Sequence, residues 1–143
     1  MNELQILRTM IDSFPDGIFL KDRESRFLFA NQVIADLMQV PEPAALIGKT
    51  DHDFYPKVVA DALLAEEILL FKTLRPLVNK EELRSPARGP RRILITKAPV
   101  MDAEGKVTGL LGITRDITEG QQEGTSRITK GSGEVLRAVL RVF

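Results

Sequence analysis

Residues 92–119 read RILITKAPVMDAEGKVTGLLGITRDITE. Two runs rich in Ile, Leu, Val and Thr flank a short polar segment, Asp102-Ala103-Glu104-Gly105. Such residues fit a pleated surface, and a glycine closing a polar loop supplies the positive φ that hairpin connections often need. The pattern predicts a β-hairpin with strands over 92–100 and 106–118. In the second strand Val107, Leu111, Ile113 and Ile117 form the alternating apolar face. Pro99 has no backbone donor and is expected at a strand end or bulge. Gly109 and Gly112 leave two gaps, which mark either a bulge or close packing of another element.

Composition bounds the function. The chain has 143 residues, the size of one domain with a core of its own. It has no cysteine, which removes disulfides, thiolate metal sites and cysteine nucleophiles. Lys plus Arg equals Asp plus Glu, 20 each, so bulk charge drives neither nucleic-acid nor membrane-surface binding. No apolar run has the length of a membrane span and no signal-peptide pattern is present, so a soluble, cytoplasmic protein is expected.

Outward from the hairpin, the chain alternates helices and strands. Leu4, Leu7, Ile11 and Phe14 recur at spacings of three and four, which predicts an amphipathic helix over 2–14 that stops before Pro15. That stripe either covers a sheet or pairs with a copy of itself. Residues 17–30 read as a first hairpin, and Asn31 as the cap of a short helix burying Val33, Ile34, Leu37 and Met38. Residues 44–56 read as short helical turns, with Gly48 as a left-handed stop. Residues 57–74 read as a longer helix with a wide apolar arc, ended by Pro76, and 77–83 as a strand with a charged face of Lys80 and Glu82. Two strands plus three predict an α+β domain: one antiparallel sheet of about five strands with helices over one face. Helices arched between the strand groups close a cavity over the sheet.

Several short matches in order resemble a PAS domain, the sensory module of bacterial signalling proteins such as histidine kinases of two-component systems and diguanylate cyclases. They are Pro15-Asp16-Gly17-Ile18 with Lys21-Asp22, Phe29-Ala30-Asn31, Leu46-Ile47-Gly48-Lys49-Thr50-Asp51 and Asp53-Phe54. Thr96-Lys97-Ala98-Pro99-Val100, Asp102 with Gly105, and Gly109 through Asp116-Ile117-Thr118-Glu119 complete the set. The resemblance covers 15–119 and implies a five-stranded sheet, a helical arch and a central cavity. It implies a sensing or dimerising role, with the signal passed to a separate effector, and a module that is not itself an enzyme. It assigns Asp116 and Thr118 to the exit of the last strand as signal-relay residues. Both side chains can hold backbone at a strand end. Residues 120–143, interrupted by Gly120, Gly124, Gly131 and Gly133, depart from the family's output helix and read as linker and tail.

The resemblance also sorts cofactors. The family's flavin photosensors and its covalently attached chromophore both need a cysteine, and there is none. Haem needs an axial ligand, and the lone histidine, His52, sits in a polar turn between Asp51 and Asp53, where a surface or capping role is expected. Adjacent Asp51, His52 and Asp53 make a poor metal site. The expected ligand is a small molecule, with cavity lining drawn from Phe29, Ile34, Leu37, Met38, Phe54, Val59, Leu63, Ile95, Lys97, Leu111 and Ile113. Lys97 shares a strand face with Ile93, Ile95 and Pro99 and needs a carboxylate or an anionic ligand. Glu81 or Glu82, on the neighbouring strand, is its expected partner, and Glu66-Glu67 are expected as solvated surface. Leu4, Leu7 and Ile11 are the expected homodimer surface. Three readings stay open: a ligand sensor, a dimerising module, and a haem- or flavin-bearing redox or gas sensor.

Overall fold

The computed structural model describes residues 1–84 and 90–118. The linker and tail expected over 120–143 lie outside them. Helix α1 (Glu3–Ser13) starts at Asn2, whose side chain accepts from the Gln5 amide at 2.9 Å while the Gln5 side chain accepts from the Asn2 amide at 2.9 Å. This reciprocal cap satisfies two donors that a helix start leaves open. No residue of α1 is buried.

Strands β1 (Gly17–Asp22), β2 (Phe27–Ala30), β3 (Leu77–Arg84), β4 (Arg91–Met101) and β5 (Val107–Asp116) form one antiparallel sheet in the order β2-β1-β5-β4-β3. The two hairpins thus join in a single sheet through β1 and β5. Between them lie α2 (Gln32–Leu37), two short turns of 3-10 helix at Pro43–Ala45 and Asp51–Asp53, and α3 (Lys57–Thr73). Asn31 ties sheet to arch: its Oδ1 accepts from Ile18 N at 3.0 Å and Ile34 N at 3.3 Å, and its Nδ2 donates to Asp16 O at 2.9 Å.

The core lies between the sheet and the helices, around Phe19, Phe27, Ile34, Leu46, Leu70, Phe71, Ile95 and Leu110. Two glycines make room for it. A Cβ on Gly112 would stand 2.0 Å from Cζ of Phe19, and one on Gly109 would stand 2.0 Å from the Lys21 carbonyl oxygen. Gly112 therefore sits under the Phe19 ring, and Gly109 lets β5 approach the backbone of β1.

The alternation of β5 differs from the expected one. Leu110, Gly112 and Thr114 are buried, whereas Leu111 and Ile113 face outward and are exposed. Two adjacent leucines fit either parity. The Phe19 ring decides it, because only a glycine fits beneath.

Candidate functional site

The inward sheet face carries charge. Lys21 of β1 and Lys97 of β4 are each 2% exposed, on either side of β5. The helical arch supplies their carboxylates. Lys21 Nζ donates to Asp51 Oδ2 at 2.8 Å and to Glu67 Oε1 and Oε2 at 3.2 and 3.1 Å. Lys97 Nζ donates to Glu67 Oε2 at 2.7 Å and to Glu66 Oε1 at 3.1 Å. Glu67 is fully buried. On β3, Lys80 pairs with Glu66 and, at 3.1 Å, with Glu82, and Arg84 pairs with Glu82. Four cations, Lys21, Lys80, Lys97 and Arg84, thus meet four carboxylates, Asp51, Glu66, Glu67 and Glu82.

Such a cluster persists in a low-dielectric interior only because each charge meets its opposite. Burial pushes the Glu67 carboxyl up, but Lys97 and Lys21 outweigh burial and hold it below its usual value. Burial pushes Lys97 down, but Glu67 and Glu66 outweigh that and hold it above the usual lysine range. The Lys21 ammonium also lies 4.8 Å from the Phe27 ring centre and 5.4 Å from that of Phe19, within cation–π reach.

Beside the cluster is a chamber of about 30 Å³. Phe19, Phe27, Leu37, Ile93 and Ile95 supply apolar wall, and Lys21, Asp51, Tyr55, Arg84, Lys97 and Thr114 supply polar groups. Tyr55 Oη donates to Met38 Sδ at 3.0 Å, and burial pushes its pKa up. The Arg84 guanidinium lies 4.8 Å from the Tyr55 ring centre. Its Nε is buried and has no hydrogen-bond partner among the described residues. A second hollow, of about 170 Å³, opens between α2 and the ends of β4 and β5, lined by Val33, Ile34, Asp36, Leu37, Gln39, Arg91, Thr114 and Asp116.

Of the residues expected to line the cavity, Ile34, Leu37, Met38, Ile95 and Lys97 do so. Phe54 and Leu63 pack inside without lining it. Four expectations are corrected. Leu111 and Ile113 point away from the core, as described above. Phe29 pairs with Leu20 on the outward face of β2, in a shallow groove shared with Phe14, the residue that caps the end of α1. Val59 lies on the exposed side of α3. The expected partner of Lys97 is also corrected. Glu81 points outward to Arg92, at 2.8 Å, and Glu82 is held by Arg84 and Lys80. Glu66 and Glu67 are therefore not solvated surface but the carboxylates that neutralise Lys97.

His52 is a surface residue whose Nε2 lies 2.7 Å from Asp61 Oδ1. Among the described residues no cluster of His, Asp and Glu suits a metal ion, and no helix is long and apolar enough to cross a membrane. At the end of β5, Asp116 Oδ1 accepts from Thr118 N at 2.9 Å, and Thr118 Oγ1 accepts from Arg92 N at 2.8 Å. Ile117 N donates to Arg92 O at 2.8 Å. The exit of β5 is thereby stitched to the start of β4. Leu4 and Leu7 of α1 are exposed and Ile11 is half-buried.

The fold and these motifs match the PAS fold over residues 11–122. The chain belongs to the PAS family. It is 30% identical over 123 residues to the methanogenesis regulatory histidine kinase FilI of Methanothrix harundinacea, covering 86% of this chain and 14% of that protein. It is 33% identical over 104 residues to a diguanylate cyclase of Vibrio cholerae, covering 71% of this chain and 32% of that protein. The solved PAS domain of Bordetella pertussis BvgS superposes with a TM-score of 0.63 at 28% identity, covering 87% of this chain and 92% of that one. This PAS domain is thus of the sensory kind found in signalling proteins, and it spans a minor part of the length of those two relatives.

Proposed function

We propose that this PAS domain holds a small molecule between sheet and arch and relays its presence to an effector through the Asp116–Thr118 exit. One observation carries the reading. A neutralised charge cluster forms one wall of a chamber whose remaining wall is mainly apolar, and one of its cations, the Arg84 guanidinium, has an unused donor. Buried polar atoms are normally satisfied, and an exception in a cavity marks a place for a ligand or water. A structural core without a ligand role gains nothing from that unused donor. The effector is a separate catalytic domain of the kind the relatives are named for, a histidine kinase or a diguanylate cyclase.

Native mass spectrometry of the purified chain tests the ligand. The expected result is a mass that falls by that of one small molecule when the protein is denatured. Identical native and denatured masses, in protein purified from its own organism, would remove the ligand reading.

A second reading rests on a different observation. Helix α1 is capped yet has no buried residue, and Leu4, Leu7 and Met10 of its apolar stripe are exposed. A helix with such a face is stabilised by packing it against something. A second copy of this chain supplies the matching stripe, and ligand sensing and homodimerisation then coexist.

A further inference from the structure

The chamber and the outer hollow share part of their walls. Ile34, Leu37 and Thr114 line both. The chamber alone has room for about a water molecule or two. The outer hollow is several times larger. From the proposed ligand role, we infer that the two form one two-part site, with the body of the ligand between α2 and β5 and its tip, a hydrogen-bond acceptor, directed to Arg84 Nε.

Charge selects the class of molecule. The inner cluster is already balanced, four against four. The outer hollow carries Asp36 and Asp116 against Arg91, whose guanidinium is 3.7 Å from Asp116. An anion entering would meet an excess of carboxylate outside, and the cations on the chamber wall, Lys21, Lys97 and Arg84, are each already paired with a carboxylate. A cation would place its charge against the Arg84 donor. Burying either without a counter-charge is costly. An uncharged molecule with an apolar body and a carbonyl or ring-nitrogen acceptor satisfies both compartments. The site also lies beside the exit, because Thr114 lines both hollows and stands two residues before Asp116. Occupancy therefore bears on the Arg91–Asp116 pair.

Three probes of one shape separate the charge classes: benzamide, benzoate and benzamidinium. They are titrated into the isotope-labelled full chain at neutral pH, with backbone amide shifts as the readout. Benzamide is expected to bind most tightly and to move the amides of Val33–Gln39 and Thr114–Asp116. Arg84→Met should weaken it about 10- to 100-fold, the worth of a hydrogen bond to a charged donor. If that variant fails to fold, the ranking of the three probes on the wild-type chain decides alone. Benzoate or benzamidinium binding as well as benzamide overturns the inference but leaves a core ligand standing. Benzamide shifts elsewhere, or no shift with any probe, also overturn it. Native mass spectrometry then decides separately whether the core-ligand reading survives.

Discussion

Glu67 carries two lysines at once, so its removal reaches both sides of the central strand. Replacing it by glutamine keeps the volume and leaves Lys21 with Asp51 and Lys97 with Glu66. Breaking a buried pair from one side costs about 3–5 kcal/mol, and the remaining partners place Glu67→Gln at the lower end of that range. Urea unfolding at neutral pH measures it. The pH dependence has a definite sign. The free carboxyl titrates near 4.5, and the folded one is held lower. Between those values the unfolded chain binds a proton that the folded chain does not, so stability rises with pH. The contribution is complete above the free value and is lost as pH falls through the folded value. The glutamine variant should therefore show a flatter acid limb in a plot of melting temperature against pH. A variant as stable as wild type, with an unchanged acid limb, would refute the role given to this pair. The sequence held a signal for Glu67, though composition hid it. Charged helical residues are mostly solvated, yet Glu67 follows Leu63 by four and precedes Phe71 by four, on the same side of α3 as the buried residues. The lysine on the apolar face of β4, Lys97, was a further sign that a buried carboxylate was required.

At the level of elements, hairpins and arch were legible because strand and helix periods differ and because Pro15, Gly48 and Pro76 punctuate them. The parity of β5 was not. Leu110 and Leu111 are adjacent, and Leu111 and Ile113 make the outward face as apolar as the inward one. Alternation identifies an inner face only where the other face is polar. Packing settled it, through the Phe19 ring over Gly112. The exit of β5 gives the prediction at this scale. Thr118→Ala removes the acceptor of the Arg92 amide, whereas the Ile117 amide keeps the Arg92 carbonyl. The loss of one such bond costs about 0.5–1.5 kcal/mol, too little to unfold the domain. Hydrogen exchange should quicken at Arg92 and Thr118 and stay unchanged in β1 and β2. Uniform acceleration across the sheet would mean that Thr118 supports the whole fold rather than a local exit.

For the whole molecule, the inward side of the sheet is closed by its own arch, whereas none of the described helices covers the outward side. Leu28, Leu83, Leu111 and Ile113 all face away from the core and are exposed. So are Leu4, Leu7 and Met10 of α1. Scattered apolar residues on a surface are ordinary, whereas a capped helix stripe together with an apolar sheet face is the kind of surface that interaction sites use. In the proposed homodimer a twofold pair of chains would cover the stripe of each copy, since each presents the same surface. The Asp116–Thr118 exit leaves the end of β5, the strand that carries Leu111 and Ile113, so a dimer formed there would place the two exits in one assembly. Leu7→Glu and Ile11→Glu test this with little risk of unfolding, because α1 contributes no buried residue to the fold. Surface substitutions of this kind change stability by roughly ±0.5 kcal/mol. Analytical ultracentrifugation should show wild-type dimers dissociating to monomers in both variants, with melting measured on the monomers close to that of dilute wild type. Wild-type chain that sediments as a monomer at every concentration, or variants that remain dimeric, would exclude α1 as the interface and leave the outward sheet face to cover a different partner.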